Sequence, residues 1–294
     1  MHYQFNSIEE LFDKISYVDS HDLQLKKGLY LSDFSQIIYE GSMIQRVYTN
    51  ISTSCEGKSH RDYYMFILVT SKDKQIFRNC TLNYSSIIVI KPLSEYKKIS
   101  FGENHTLVVS VPKKKVEDRF GSIQTGVYEI KEEKDIDILL YLTFKLFNQK
   151  LITYDFMNYL SSLLIDKIQV VVNNIHNICN NCKQCNSCKQ FYEIVHFMKK
   201  EYKNHIDIKE IAEYFKISER TLRNIFSKKM GISPKQYQKV LQMNNLKQAI
   251  MKTPHYSISD IIINQGLSSQ SFVTKEFKSF FYTTPNEFKK ICLN

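Results

Sequence analysis

Apolar and polar positions follow three rhythms along the chain. Up to about residue 130, short runs rich in β-branched and aromatic residues alternate with turn signals. The runs are Tyr63-Tyr64-Met65-Phe66-Ile67-Leu68-Val69, Ile87-Ile88-Val89-Ile90 and Leu107-Val108-Val109-Ser110-Val111. Glu56-Gly57, Lys91-Pro92, Phe101-Gly102 and Val111-Pro112 punctuate them. This rhythm predicts a β-sheet or barrel domain over residues 1–133, with a short helix at 6–16. From 134 to 178 the period changes. Ile136 to Phe147 is apolar on most sides, and Met157, Leu160, Leu164, Ile168, Val171 and Ile175 recur at steps of three and four. That is one face of an amphipathic helix. The face fits packing against the β domain and fits self-association, and both readings stay open. A polar, Asn-rich and Cys-rich connection covers 179–190, and 191–294 is helical in pattern.

The last region reads helix by helix. Asp207 and Glu210 are spaced as a capping box ahead of an Ile208, Ile211, Ala212, Phe215 face. After a break at Lys216-Ile217, Ser218 can cap a second helix that turns Leu222, Ile225 and Phe226 inward and Arg220, Arg223 and Asn224 outward. Gly231 stands where a left-handed terminator belongs. Ser233-Pro234 opens a helix running to about Lys252, a rod of roughly 28 Å at about 1.5 Å per residue. Then the pattern repeats. Ser257 and Asp260 precede Ile258, Ile261 and Ile262; Gly266 marks a turn; Ser269 caps a helix read as burying Phe272, Val273, Phe277 and Phe280. Thr284-Pro285-Asn286-Glu287 opens a last helix. Two helix-turn-helix units on one rod can address successive major grooves, about 34 Å apart on one face of DNA.

The segment from about Phe191 to Lys290 resembles the AraC family of bacterial transcription regulators. The residues that carry the resemblance are Ile211-Ala212-Glu213, Ile217-Ser218-Glu219-Arg220-Thr221-Leu222, Phe226, Gly231-Ile232-Ser233-Pro234-Lys235-Gln236-Tyr237, Gly266-Leu267, Ser271-Phe272-Val273, Lys275-Glu276-Phe277-Lys278 and Thr284-Pro285. The resemblance implies base-reading positions at Arg220, Arg223 and Asn224 in the first unit. In the second it implies Gln270, Ser271, Thr274 and Lys275. Arg, Asn and Gln suit bidentate contacts to purine edges, and Lys228, Lys229 and Lys278 suit phosphates. It also implies a double-stranded DNA operator, RNA polymerase and a homodimer as partners, and an N-terminal domain, often a cupin-like barrel, that binds a small effector or dimerises. The chain departs from the pattern at Ile262, where the family commonly has a small residue, at Leu267, where it has Phe, and at Lys275, where it has Arg. These departures are expected to tilt or weaken the second unit's grip on DNA and leave the first to dominate specificity. The fold expected is α+β and multidomain: a β-rich N-terminal domain, a helical linker and an all-α C-terminal domain.

Charge sharpens this picture. The 294 residues carry a formal net charge of +10. Residues 191–294 hold 17 Lys/Arg against 9 Asp/Glu, whereas residues 1–190 hold 23 against 21. The excess sits in the region read as the DNA reader, as a polyanionic partner requires. No basic stretch followed by an apolar run opens the sequence, and no run approaches the roughly 18 apolar residues that would span a membrane. The expected location is cytoplasmic, so the seven cysteines read as thiols or metal ligands rather than a disulfide framework.

One motif lies outside the resemblance. In His176-x-x-Cys179-x-x-Cys182-x-x-Cys185-x-x-Cys188, four cysteines recur at a step of three. Such thiolate runs hold zinc or an iron–sulfur cluster. Lys183 and Lys189 also suit a thiol redox switch by lowering thiol pKa. A polar linker with incidental cysteines is the third reading. As a control point, the run would regulate the reader next to it. His60 and His105 are isolated and lack clustered ligands. With no Gly-rich phosphate loop, hydrolase nucleophile motif or paired catalytic carboxylates, the chain is read as non-enzymatic. The alternative is a redox or metal-dependent enzyme built on the Cys run.

Overall fold

A computed structural model describes residues 2–6, 10–11, 18–70, 73–78, 80–82, 86–130, 133–148, 153–173, 186–204 and 206–293. The chain divides into two compact units. One comprises Met1–Asp22 and Leu31–Lys183, the other Leu23–Tyr30 and Gln184–Asn294.

The first unit holds two antiparallel sheets. Its strands are β1 (His2–Phe5), β2 (Val18–Gln24, ending in the other unit), β3 (Ser32–Tyr39), β4 (Ser42–Thr49), β5 (Thr53–Ser59), β6 (Tyr63–Val69), β7 (Gln75–Phe77), β8 (Cys80–Leu82), β9 (Ser86–Ile90), β10 (Glu95–Ser100), β11 (Asn104–Pro112) and β12 (Gly126–Glu129). One sheet runs β1-β3-β4-β11-β6-β9-β12, the other β2-β5-β10-β7-β8. The unit also holds helices α1 (Lys113–Phe120), α2 (Glu133–Asn148) and α3 (Tyr154–Asn173).

The apolar runs of β6, β9 and β11 are continuous because both faces of these strands are covered. Tyr64, Phe66 and Leu68 point one way, into a core with Leu139, Leu142, Leu146, Leu160, Leu164 and Ile168 of α2 and α3. Met65, Ile67 and Val69 point the other way, into a second core with Phe77 and Tyr96 of the five-stranded sheet. Leu160, Leu164, Ile168 and Val171 of the amphipathic face therefore pack on the β domain, and Ile175 lies outside the described residues. Outside that face, Ile138, Tyr141, Phe144 and Tyr159 are exposed.

The second unit is helical apart from its N-terminal segment. It holds α4 (Asn186–Lys200), a 3-10 turn (Tyr202–Asn204), α5 (Ile208–Tyr214), α6 (Glu219–Met230), α7 (Pro234–Lys252), α8 (Ile258–Asn264), α9 (Gln270–Phe281) and α10 (Pro285–Leu293). In α4, Phe191, Ile194, Val195 and Met198 form a fully buried i, i+3, i+4, i+7 stripe. Phe191 meets Phe226 at 5.4 Å between centroids, and Phe226 meets Tyr237 at 5.6 Å. Beyond α7, Phe277 packs on Phe281 and Phe288 at 4.8 and 6.0 Å. The Lys247 ammonium sits 5.0 Å over Phe281 and 5.4 Å over Phe288.

Two expectations are corrected here. Phe272 is not buried but 55% exposed, with Lys239 Nζ 5.7 Å over its ring. It stands at the third position of its helix, before the inward stripe Val273, Phe277, Phe280 is established. Cys55 is a free thiol, but Cys80 is disulfide-bonded; composition and an inferred compartment fix no sulfur–sulfur distance. The expected helix at 6–16 lies largely outside the described residues. Among the described residues no helix is long and apolar enough to cross a membrane.

The segment Leu23–Tyr30 crosses α7 and the end of α9 as a strap that bends at Lys26–Gly28. The Gln24 N–H donates to Asn244 Oδ1 and Asn244 Nδ2 donates to the Gln24 carbonyl, both at 3.1 Å. Asn244 thus offers the strap the donor–acceptor pair that a neighbouring strand would offer. Gly28 N–H and Gln24 Nε2 donate to the Phe280 carbonyl at 3.1 and 3.2 Å. Leu23, Gln24, Leu25 and Tyr30 are buried. Replacing Asn244 by Ala leaves two buried backbone groups of Gln24 without partners, at a cost of about 1–3 kcal/mol. Urea denaturation of the full chain should show this loss, and an unchanged midpoint would remove Asn244 from the account.

Candidate nucleic-acid interface

The two turns are built alike, and the reason is local. Asp207 caps α5, with Glu210 Oε2 returning a bond to the Asp207 N–H at 2.9 Å. At the turn Lys216 takes φ 53°, and the Ile217 N–H reaches back to the Ala212 carbonyl at 2.9 Å. Ser218 Oγ then accepts from the Thr221 N–H at 3.1 Å and starts α6. In the second unit Gly266 takes φ 74°, and the Leu267 N–H reaches the Ile262 carbonyl at 3.1 Å. The departures at Ile262 and Leu267 therefore leave the turn's hydrogen bond in place. Both side chains are buried. The second turn holds one extra residue, Ser268, before Ser269 caps α9 through the Phe272 N–H at 3.4 Å.

Gly266 is fixed twice over. Its φ disfavours any side chain, and an added methyl would stand 2.8 Å from the Lys203 carbonyl oxygen. At the helix ends the two units differ. Gly231 ends α6 at φ 67°, whereas Tyr282 ends α9 at φ 61°. A left-handed non-glycine residue costs about 1–2 kcal/mol. Two opposite shifts in melting temperature of the full chain are expected. Gly266→Ala should destabilise by at least about 1–2 kcal/mol, and Tyr282→Gly should stabilise by up to about 1 kcal/mol. Shifts of the same sign would contradict this account of the turns.

The residues expected to read bases lie on α6 and α9. Arg220, Arg223 and Asn224 are exposed on α6. Arg223 is held by Glu219 one turn earlier at 2.7 Å, an exposed pair worth at most about 1 kcal/mol and so readily exchanged for a base edge. On α9, Gln270, Ser271 and Lys275 are exposed and Thr274 is half-buried. Gln270 Oε1 accepts from Ser259 Oγ of α8 at 3.0 Å, which holds the amide at the start of α9. Lys228 and Lys278 are exposed and Lys229 is half-buried. Glu276 turns away from the polar face of α9 toward Lys239 and Lys27, at 3.4 and 3.5 Å. The sequence reading missed Phe272, which places an exposed ring among the polar candidates of α9. It also missed Asn244, whose buried amide carries no pattern that would reveal the strap.

Residues 211–291 match the family described as a helix-turn-helix domain. The C-terminal unit carries an AraC-type helix-turn-helix domain. Similar stretches occur in the lactose operon transcription activator of Staphylococcus xylosus, 28% identical over 95 residues, which are 32% of this chain and 34% of that protein. The melibiose operon regulatory protein of Escherichia coli K12 is 26% identical over 104 residues, 35% of this chain and 34% of that protein. The HTH-type transcriptional regulator ArgR of Pseudomonas aeruginosa is 35% identical over 78 residues, 26% and 23% of the two chains. The chain spans about a third or less of the length of these curated relatives. Among solved structures, the AraC-like transcriptional activator CuxR aligns over 85% of this chain and 95% of its own, at 13% identity and a TM-score of 0.46. ToxT from Vibrio cholerae aligns over 94% and 98%, at 16% identity and 0.33. Neither score reaches 0.5, and the fold described above rests on neither.

The AraC-type domain contains every residue expected to contact DNA. The Cys run lies apart from it. Residues 174–185 fall outside the described residues, and Cys188 falls on α4 without a described side chain. Among the described residues no group of His, Cys, Asp and Glu side chains could hold a metal ion.

Proposed function

We propose that the chain is a sequence-specific, DNA-binding transcription regulator that reads two successive major grooves. One observation carries the reading: two equivalent turns on a single body, each presenting an exposed polar helix face, joined by one 19-residue helix. The concentration of basic charge in the same region supports it. The partner is a double-stranded operator, with RNA polymerase as the second partner the resemblance implies. A homodimer through the exposed aromatic side of α2 and α3 would double the sites read.

The test is a duplex-binding titration against salt. Affinity should fall steeply as salt rises, because each neutralised phosphate releases counterions. Lys228→Ala should weaken binding to all sequences and lower the salt slope by about one. Arg223→Ala should cost about 1–3 kcal/mol on the preferred site and relax selectivity at one base position. Binding that is insensitive to salt and to both substitutions would reject the reading.

Control of the reader by metal or thiol chemistry at Cys179, Cys182, Cys185 and Cys188 belongs to the same proposal. It is supported by the regular spacing of the cysteines and their position just ahead of the AraC-type domain. With all four replaced by Ser, operator affinity should lose its response to reducing and oxidising buffer. An identical response in the parent and the quadruple variant would eliminate the run as a control point.

A further inference from the structure

The reading face of α9 carries an exposed ring that can make no hydrogen bond through its side chain. Phe272 stands at the third position of α9, with its N–H held by Ser269 Oγ at 3.4 Å. At about 100° per residue, it lies about 60° around the helix from Lys275 and about 100° from Val273. The ring therefore shares the outward side with Lys275, while Val273, Phe277 and Phe280 fill the core. Phe272 is 55% exposed.

Single exposed apolar residues are ordinary on protein surfaces. This one differs in being held in place. The Lys239 ammonium of α7 sits 5.7 Å over its ring, within the range of a cation–π contact. Lys239 is in turn paired at 3.4 Å with Glu276, one turn further along α9. Glu276 also meets Lys27 of the strap at 3.5 Å, and Lys27 Nζ donates to Ser279 Oγ at 2.9 Å. Phe272, Glu276 and Ser279 follow one another at i, i+4 and i+7, so these contacts run in single file along one flank of α9. The ring is fixed at the edge of the reading face without being covered.

The N-terminal residues of a reading helix are the ones that meet base edges in the major groove. Gln270, Ser271, Thr274 and Lys275 bring hydrogen-bonding groups to that end of α9, and Phe272 brings none. A base pair shows one apolar group in the major groove, the C5-methyl of thymine. Cytosine carries a hydrogen at the same carbon, and the purines offer nitrogen and oxygen edges.

We propose that Phe272 is a specificity-determining residue of the second reading unit and selects thymine by packing on its C5-methyl group. The ring and the methyl remove each other from water, and a base without the methyl leaves the ring wet. The proposal rests on the reading of the chain as a duplex reader. It deepens that reading by naming one base of the second unit's site and the contact that selects it. Loss of the methyl should cost about fourfold in affinity. That is the worth of one buried methyl-sized group, about 0.8 kcal/mol at about 1.4 kcal/mol per tenfold.

The deciding experiment uses the full chain and deoxyuridine, which differs from thymidine in lacking the methyl. A preferred duplex is first selected from a random-sequence pool. Each of its thymines is then replaced by deoxyuridine, one at a time, and affinity is measured. In the parent, replacement of one thymine should cost about fourfold. Phe272→Ala should bind the thymine and uracil duplexes equally at that position and keep the parent's response at every other thymine. Its melting temperature should stay close to the parent's, because the ring lies outside the core. If Phe272→Ala fails to fold, Phe272→Gln takes its place. The same loss in parent and variant at every thymine, or no loss at any thymine in the parent, overturns the assignment and leaves the regulator standing. A parent that selects no duplex overturns the regulator and the assignment with it.

Discussion

The relation between the two reading units depends on how α7 is buried. Pro234, Tyr237, Val240, Leu241 and Asn244 are buried along one side of this helix, and Met243, Leu246, Lys247 and Ile250 along another. At 3.6 residues per turn the second set lies roughly 130° around from the first. A single amphipathic stripe would have bound one neighbour. The shifted stripe binds two, with Tyr237 against Phe226 on the first side and Lys247 against Phe281 and Phe288 on the second. Each fully buried large apolar side chain contributes about 1.5–3 kcal/mol. The Lys239–Glu276 pair across α7 and α9 contributes at most about 1. Packing therefore fixes the spacing of the reading helices, and the ion pair adjusts it.

What the sequence revealed of this unit, it revealed through short-range chemistry. Asp207 with Glu210, Ser218, Ser233 with Pro234, and Gly231 each act within four residues of themselves, so their meaning survives without a fold. The same locality explains the error at Phe272. Its periodicity is right for an inward position, but the first turn of α9 projects beyond the body it packs on. The strap is the extreme case. Leu23–Tyr30 and Asn244 lie more than two hundred positions apart, and neither carries a pattern that names the other. A buried Asn in a helix signals only that some polar group must meet it.

The β-rich unit was legible as strands, but not in which way each polar side chain turns. Apolar runs report burial on both faces, and β6 is buried on both. Lys98 sits in the run Glu95 to Ser100, where two adjacent lysines break the alternation of polar and apolar positions. Only the register with Cys55 and Phe77 turns its side chain inward, toward Asn104 and Thr106.

Of the three departures from pattern, two leave the second turn intact and the third, Lys275, lies on the exposed face of α9. Ile262 and Leu267 keep the backbone bond that defines the turn, and both side chains are absorbed into the core. What differs is what the two helices present and how firmly. α6 presents two guanidiniums and an amide, with Arg223 restrained only by an exposed ion pair. α9 presents an amide held by Ser259, a half-buried Thr274, one ammonium and an exposed ring. Guanidinium groups make bidentate contacts to guanine, whereas an ammonium is a point charge and a ring is indifferent to hydrogen-bonding edges. The side chains expected to read bases thus offer more bidentate chemistry on α6 than on α9, on a backbone the second unit shares.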